Sequence, residues 1–191
     1  MKKQISFLIL AHNEVKTIEK EIENILKLKK KINFELVIIQ DGSTDGTFEK
    51  LESIKKKKNF ILYNKKFRLG YHKAFLKGVG LSNGKIIFFS DTGSKYNYQK
   101  FIKFYKYFEK NSADMFSAYR VNREDKILRQ LLTFFYGLFI NILFQINFKD
   151  YDCGFKIFKK EKLIKILKEN TFDKNLITSQ IFIYFKIYNY K

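Results

Sequence analysis

Val37-Ile38-Ile39-Gln40-Asp41-Gly42-Ser43-Thr44-Asp45-Gly46-Thr47 joins a β-branched run to a carboxylate, a glycine and two hydroxyls, and a helical pattern starts at Phe48. Such a stretch reads as a buried strand that delivers polar groups to its carboxyl end. In an open α/β sheet, ligands sit in the crevice outside those ends, which places Asp41 where a ligand is read. The alternative is an ordinary strand-to-helix turn with Thr44 or Asp45 as the N-cap.

Working outward, Ile5 to Leu10 is a near-continuous apolar run, as expected of a parallel strand buried on both faces. Ala11-His12-Asn13-Glu14 follows, with Asn13 as the expected N-cap. A helix then runs to about Lys30, with Ile18, Ile22, Ile25 and Leu26 on one face and charges on the other. Beyond the opening stretch a helix is expected from about Thr47 to Lys57, then a short strand from Phe60 to Tyr63. Strands and helices alternating at this spacing predict an α/β fold with a doubly wound start. After Gly70 a helix is expected to about Ser82, with Ala74, Gly78 and Gly80 small enough to approach the sheet closely. Gly78-Val79-Gly80 is not a dinucleotide fingerprint, because Asn83 stands at the third glycine position and the segment ends a helix; no Walker A loop is present. Lys85 to Ser90 is a further buried strand. It delivers Asp91-Thr92-Gly93-Ser94-Lys95 to the edge that carries Asp41, so two carboxylates from two strands converge on one crevice.

The second half reads as a helix over Tyr98 to Lys110, a strand over Asp114 to Tyr119 that presents Arg120, and a long helix from about Glu124 to Phe148. From Leu131 to Phe148 there is no charge, and Thr133, Gly137, Asn141 and Gln145 form one polar or small stripe. Two readings stay open: a core helix, or a helix lying in a membrane interface with Arg129 and Lys149 at its ends. A turn at Asp150 to Gly154, a strand over Phe155 to Phe158, and helices over Lys160 to Lys168 and Thr178 to Tyr188 complete the chain. With no internal repeat and no linker, residues 1–191 are expected to form one domain.

A formal charge of +19 would ordinarily suggest nucleic acid or an anionic membrane surface. Here Lys, Asn, Ile, Phe and Tyr are over-used together while Pro and Trp are absent, the mark of an A/T-rich coding sequence, so much of the lysine excess carries no message. The runs Lys29-Lys30-Lys31 and Lys55 to Lys58 read as solvated helix ends. No nucleic-acid-binding module is recognisable, and a nucleic-acid partner is not expected. The single cysteine, Cys153, has no partner for an internal disulfide and reads as a small buried thiol. The apolar run after Met1 is too short for a secretory signal, so the chain reads as cytoplasmic, with the inner face of the membrane as the alternative placement.

Taken together, Leu10-Ala11-His12-Asn13-Glu14, the Gln40-Asp41-Gly42-Ser43-Thr44-Asp45-Gly46-Thr47 stretch, Gly70 with Ala74 and Gly78, and Asp91 after a buried strand resemble the successive signatures of family 2 glycosyltransferases. The resemblance implies the GT-A type nucleotide-sugar-binding fold, with a mainly parallel, Rossmann-like central sheet flanked by helices. Ser117-Ala118-Tyr119-Arg120, Arg129, and Asp150 before Cys153-Gly154-Phe155-Lys156 are similar to the branch that transfers mannose or glucose to dolichol or another polyprenyl phosphate. It follows from the resemblance that His12, Glu14 and Asp41 hold the nucleoside of a GDP- or UDP-linked sugar. Lys65 and Lys73 would lie near its diphosphate, and Arg120 and Arg129 would clamp the acceptor phosphate. Asp91 would be the catalytic-edge carboxylate and the ligand of a divalent cation, Mg²⁺ or Mn²⁺. Four departures bear on this: Gln40 stands where the family usually has the first of two aspartates, Leu10 where it often has proline, Arg68 where it often has asparagine, and Gly93 where it has the second Asp of Asp-x-Asp. The chain also ends before a region where relatives usually carry another strand. A same-fold transferase for a surface polysaccharide or glycan, and a catalytically degenerate nucleotide-binding homologue, are the alternatives.

Overall fold

A computed structural model describes residues 4–92, 96–121 and 126–191. Strands β1 (Ile5–Ala11), β2 (Phe34–Asp41), β3 (Ile61–Lys65), β4 (Ile86–Asp91), β5 (Met115–Ser117) and β6 (Lys156–Lys159) form one sheet in the order β3-β2-β1-β4-β6-β5. The first four run parallel, and β6 inserts antiparallel between β4 and β5. Helices α1 (Ile18–Leu26), α2 (Thr47–Lys57) and α4 (Phe101–Lys110) cover one face; α3 (Tyr71–Leu81), α5 (Ile127–Phe144), α6 (Lys160–Glu169) and α7 (Ile177–Ile187) lie on the other.

The period of two explains how one sheet makes two cores. Along β1, Ile5, Phe7, Ile9 and Ala11 join the first cluster and Leu8 and Leu10 the second. The rings of Phe34, Phe88 and Phe101 pack around Phe7 at 4.3–4.7 Å between centroids. The expectation that charges on α1 face solvent fails at Glu21, which is buried. Its carboxylate accepts from the Tyr98 hydroxyl, and burial together with that carboxylate pushes the Tyr98 phenol far above its ordinary range. At the amino-terminal edge the buried Glu35 carboxylate accepts from Ser6 Oγ at 2.6 Å, and Ser6 Oγ accepts from Gly84 N–H at 2.8 Å, tying β2, β1 and the turn before β4 together.

Several expected boundaries move. Asn13 is not the cap of α1; it adopts a left-handed conformation (φ 57°) and Thr17 takes the cap position. The cap position of α2 is Gly46, although Asp45 Oδ1 still accepts from Thr47 N–H at 3.0 Å. The strand expected over Asp114 to Tyr119 shortens to β5, and that over Phe155 to Phe158 shifts by one residue to β6. The long helix ends at Phe144 instead of Phe148, and Glu124, its expected start, lies outside the described residues. Gln145 turns left-handed (φ 51°), Ile146 N–H bonds Asn141 O, and the Asn141 side chain takes both the N–H and the C=O of Phe148, so the chain is turned off the helix axis. Of the three small residues expected to let α3 approach the sheet, Ala74 and Gly78 do so and Gly80 does not. A Cβ at Gly78 would meet the Leu8 side chain, with Cδ2 at 2.8 Å, whereas one at Gly80 would meet nothing within 4 Å.

That contrast sets a paired prediction. Gly78→Ala overpacks the α3–β1 contact and should cost about 1–3 kcal/mol. Gly80→Ala fills no occupied space in an exposed helical position and should stabilise by up to about 1 kcal/mol. Urea unfolding followed by circular dichroism separates the two.

Candidate functional site

The cleft lies at the carboxyl edge of the sheet, where the order turns at β1. Gln40 pairs with Ala11 on one side of β1 and Asp91 with Leu10 on the other, so Asp41 and Asp91 emerge on either side of the same strand end. Both line a cleft of about 290 Å³ with His12, Glu14, Arg68, Tyr71 and Thr92.

Its walls are loops fastened to one another by side chain to backbone hydrogen bonds. Asp41 is almost buried, and its carboxylate accepts from the backbone N–H groups of Leu69 and Gly70, the latter at 3.0 Å. The loop between β1 and α1 is tied to the loop between β2 and α2. Asn13 N–H donates to Ser43 Oγ, Thr44 N–H to Asn13 Oδ1, Glu14 N–H to Thr47 Oγ1 and Val15 N–H to Asp45 Oδ2, all at 2.7–3.0 Å. His12 Nδ1 lies 2.7 Å from Asp41 O. A carbonyl accepts only, so Nδ1 carries the proton in that contact and Nε2 of a neutral ring is left as an acceptor.

The opposite wall carries Asp91. Gly154 packs against it so closely that a Cβ would overlap the carboxylate, with Cγ at 2.7 Å and the Tyr96 hydroxyl at 2.9 Å. Gly154 N–H donates to Tyr96 Oη at 2.9 Å. Beneath them Lys156 is buried and donates to Cys153 O. Burial pulls its ammonium below the ordinary lysine range, against the opposing pull of Asp91, the Cys153 thiol, Asp152 and Asp150. Arg120 lies along Asp150, Nε at 2.7 Å from Oδ2 and Nη2 at 2.9 Å from Oδ1, a bidentate pair that holds the guanidinium fully charged.

The structure therefore brings His12, Glu14, Asp41 and Asp91 into one cleft, as expected. It does not bring Lys65 or Lys73 there. Lys65 ends β3 with its ammonium 5.6 Å from the centroid of the Tyr63 ring, Lys73 is exposed on α3, and among the described residues the cation that lines the cleft is Arg68. Arg68 was legible only as a departure from a family pattern, although its place in a loop beyond a strand end is itself a signal. Arg120 is committed to Asp150, and Arg129 is exposed in the first turn of α5. Gly93 and Lys95 lie outside the described residues. Among the described residues no three His, Cys, Asp or Glu side chains gather to hold a metal ion, so a divalent cation would have Asp91 and the oxygens of a bound diphosphate as its donors, a set of the kind Mg²⁺ uses.

With this geometry, comparison with known proteins is informative. The model of "Glycosyl transferase family 2" matches residues 6–167. An uncharacterized protein of Methanocaldococcus jannaschii is 30% identical over 168 residues, which is 82% of this chain and 72% of that one. A dolichyl-phosphate beta-glucosyltransferase of Dictyostelium discoideum is 26% identical over 182 residues, 85% of this chain and 56% of that one. Among solved structures, glucosyl-3-phosphoglycerate synthase of Mycobacterium tuberculosis, in complex with Mn²⁺, UDP-glucose and phosphoglyceric acid, superposes with a TM-score of 0.65 at 17% identity. That superposition covers 84% of this chain and 58% of the synthase. The chain thus spans little more than half the length of the last two. The family model spans the chain from β1 into α6, and this protein belongs to glycosyl transferase family 2, with the GT-A fold.

Proposed function

We propose that residues 1–191 act as one inverting glycosyltransferase domain that moves a hexose from a UDP- or GDP-linked donor to a polyprenyl phosphate at the cytoplasmic face of a membrane. A phosphate oxygen of the acceptor attacks the sugar C1, the C1–O bond to the diphosphate breaks, and the nucleoside diphosphate leaves with the electron pair. A phosphate acceptor is already ionised, so the site needs no strong general base; it needs positioning and charge stabilisation. In this reading Asp41, His12 and Glu14 hold the nucleoside, Arg68 faces the diphosphate and Asp91 stands at the sugar. A divalent cation bound at Asp91 would neutralise the leaving diphosphate. Arg120, oriented by Asp150, and Arg129 receive the acceptor phosphate.

The observation that carries the lipid acceptor is α5. Its 18 residues are long and apolar enough to cross a membrane by length and composition, and Ile140 is their one buried residue. Leu131, Leu132, Phe134, Phe135, Phe139, Ile142 and Leu143 are each 49–71% exposed, an apolar face larger than soluble surfaces usually carry. A core helix would have buried that face. The stripe of Thr133, Gly137 and Asn141 turns toward the protein instead, where Tyr151 Oη bonds Asn141 Oδ1 at 2.6 Å and Tyr136 Oη lies 2.6 Å from Ser179 Oγ. Such a helix lies along an interface with its other side in lipid.

Three outcomes are expected. Purified protein given a nucleotide sugar, Mn²⁺ and a short-chain polyprenyl phosphate should form the glycosyl lipid, a chelator should suppress turnover, and Asp91→Asn should lower kcat by about 10²–10³-fold; full activity with the chelator present would remove the cation from the scheme. Gly154→Ala should displace the Asp91 carboxylate and lower kcat by about tenfold or more, given that small misplacements at a reacting centre are costly, and should cost about 1–3 kcal/mol of stability through the overlap; Gly78→Ala, with a similar stability loss away from the cleft, is the control that should leave kcat nearly unchanged. Flotation with anionic liposomes should be lost when Leu131, Phe135 and Phe139 are changed together to Ser; flotation unaffected by these changes would detach α5 from the membrane.

A further inference from the structure

One aromatic side chain of the cleft, Tyr71, reaches from the Asp41 side toward the Asp91 side. It is the first residue of α3, directly after Gly70, whose N–H Asp41 holds at 3.0 Å, so its backbone is fixed to the end of β2. Its ring points the other way, toward β4. Tyr71 and Phe75, one helical turn apart, meet the Phe89 ring edge-on at 6.1 and 5.1 Å between centroids, both at 89°. Phe89 lies two residues before Asp91, on the same face of β4. Tyr71 lines the cleft together with Asp91, and it also lines the small cavity behind, where Lys156 and Phe158 lie. At 38% exposure it is open enough for a ligand to touch. It is also deep enough that burial, and then the carboxylates of Asp91 and Asp152, push its phenol well above the ordinary range.

We propose that Tyr71 reads the hexose of the donor: its hydroxyl hydrogen-bonds a sugar hydroxyl in the Asp91 half of the cleft and makes Tyr71 a specificity-determining contact. The proposal rests on the nucleotide-sugar reading of the same site and adds which residue distinguishes the sugar from the nucleotide that carries it. A phenol both donates and accepts, and the carboxylates that face it accept, a set that the hydroxyls of a hexose satisfy from both sides. A diphosphate oxygen only accepts, so it gains nothing from Asp91 and Asp152 without a cation between them. Its complement among the described residues of the cleft is Arg68, at the other end of the loop that Asp41 holds. The contact needs little reorganisation, because the ties at Gly70 and at Phe89 already set the direction of the ring.

Isothermal titration of the full chain with UDP-glucose, UDP-N-acetylglucosamine and GDP-mannose, each against its bare nucleoside diphosphate, tests the assignment. Tyr71→Phe keeps the ring against Phe89 and removes only the hydroxyl. It should weaken binding of the nucleotide sugar that the wild-type protein takes by about fivefold and leave the affinity for the matching nucleoside diphosphate unchanged. Monodeoxy analogues of that sugar identify the contact. The analogue lacking the hydroxyl that Tyr71 reads should bind the wild type about fivefold worse than the parent sugar nucleotide does, and should bind Tyr71→Phe as well as the parent does, a coupling that a merely structural role would not produce. Tyr71→Met repeats the comparison should the first variant fold poorly. Equal weakening of the sugar nucleotide and the nucleoside diphosphate puts Tyr71 at the nucleotide, and unchanged affinities with unchanged analogue selectivity put it at neither; both overturn the assignment and keep the donor reading. A wild-type protein that binds none of these ligands, or binds the nucleoside diphosphates with no gain from any of the sugars, overturns the donor reading and the assignment with it.

Discussion

The carboxylate of Asp41 is the point on which the cleft depends. It is nearly buried at the end of β2 and spends its oxygens on the backbone N–H groups of Leu69 and Gly70, so the loop that carries Arg68 and starts α3 is held to the strand beside β1. Hydrogen bonds to a charged group are worth roughly 1.5–3 kcal/mol, enough to hold a loop that burial alone would not order. The parallel ties from Asn13, Glu14 and Val15 to Ser43, Thr47 and Asp45 fix the third loop. Three loops that share no regular hydrogen-bond ladder thus act as one rim, and the cleft presents a preorganised surface.

Across β1 the rim is built differently. Asp91 is placed by shape, through a glycine that leaves no room for a Cβ, with the buried ammonium of Lys156 as a favourable charge nearby. Arg120 reaches Asp150 on one side and lines the groove between α4 and β5 on the other.

Much of this was legible beforehand, and the reasons are local. β1, β2 and β4 announce themselves as short apolar runs ending in polar residues, because a parallel strand buried on both faces has no other way to be written. Asp41 and Asp91 follow from the rule that such strands deliver polar groups at their carboxyl ends, His12 and Glu14 came from the resemblance to the family, and the structure gathers all four in one cleft. Lys65 and Lys73 do not line the cleft, because proximity in sequence to a strand end or loop does not say which way a long side chain leaves; Arg68, in the loop that Asp41 holds, does line it. Arg120 was found by sequence, but not its commitment to Asp150, thirty residues on.

Periodicity and turn chemistry, which act over a few residues, determined the alternation of strands and helices, the α/β class and the strand-end carboxylates. Tertiary structure alone decided what depends on distant parts of the chain. The insertion of β6 antiparallel between β4 and β5 brings Gly154 and Lys156 under Asp91. Asn141 and Gln145 end α5 early by recruiting Phe148 and the turn beyond it. The same uncharged run in α5 is compatible with a core or with an interface, and only the packing of the rest of the chain, which buries Ile140 and leaves Phe135 and Phe139 exposed, sets the core reading aside. Burial is a property of what packs against a residue, and a sequence pattern specifies one face of that contact but not its partner.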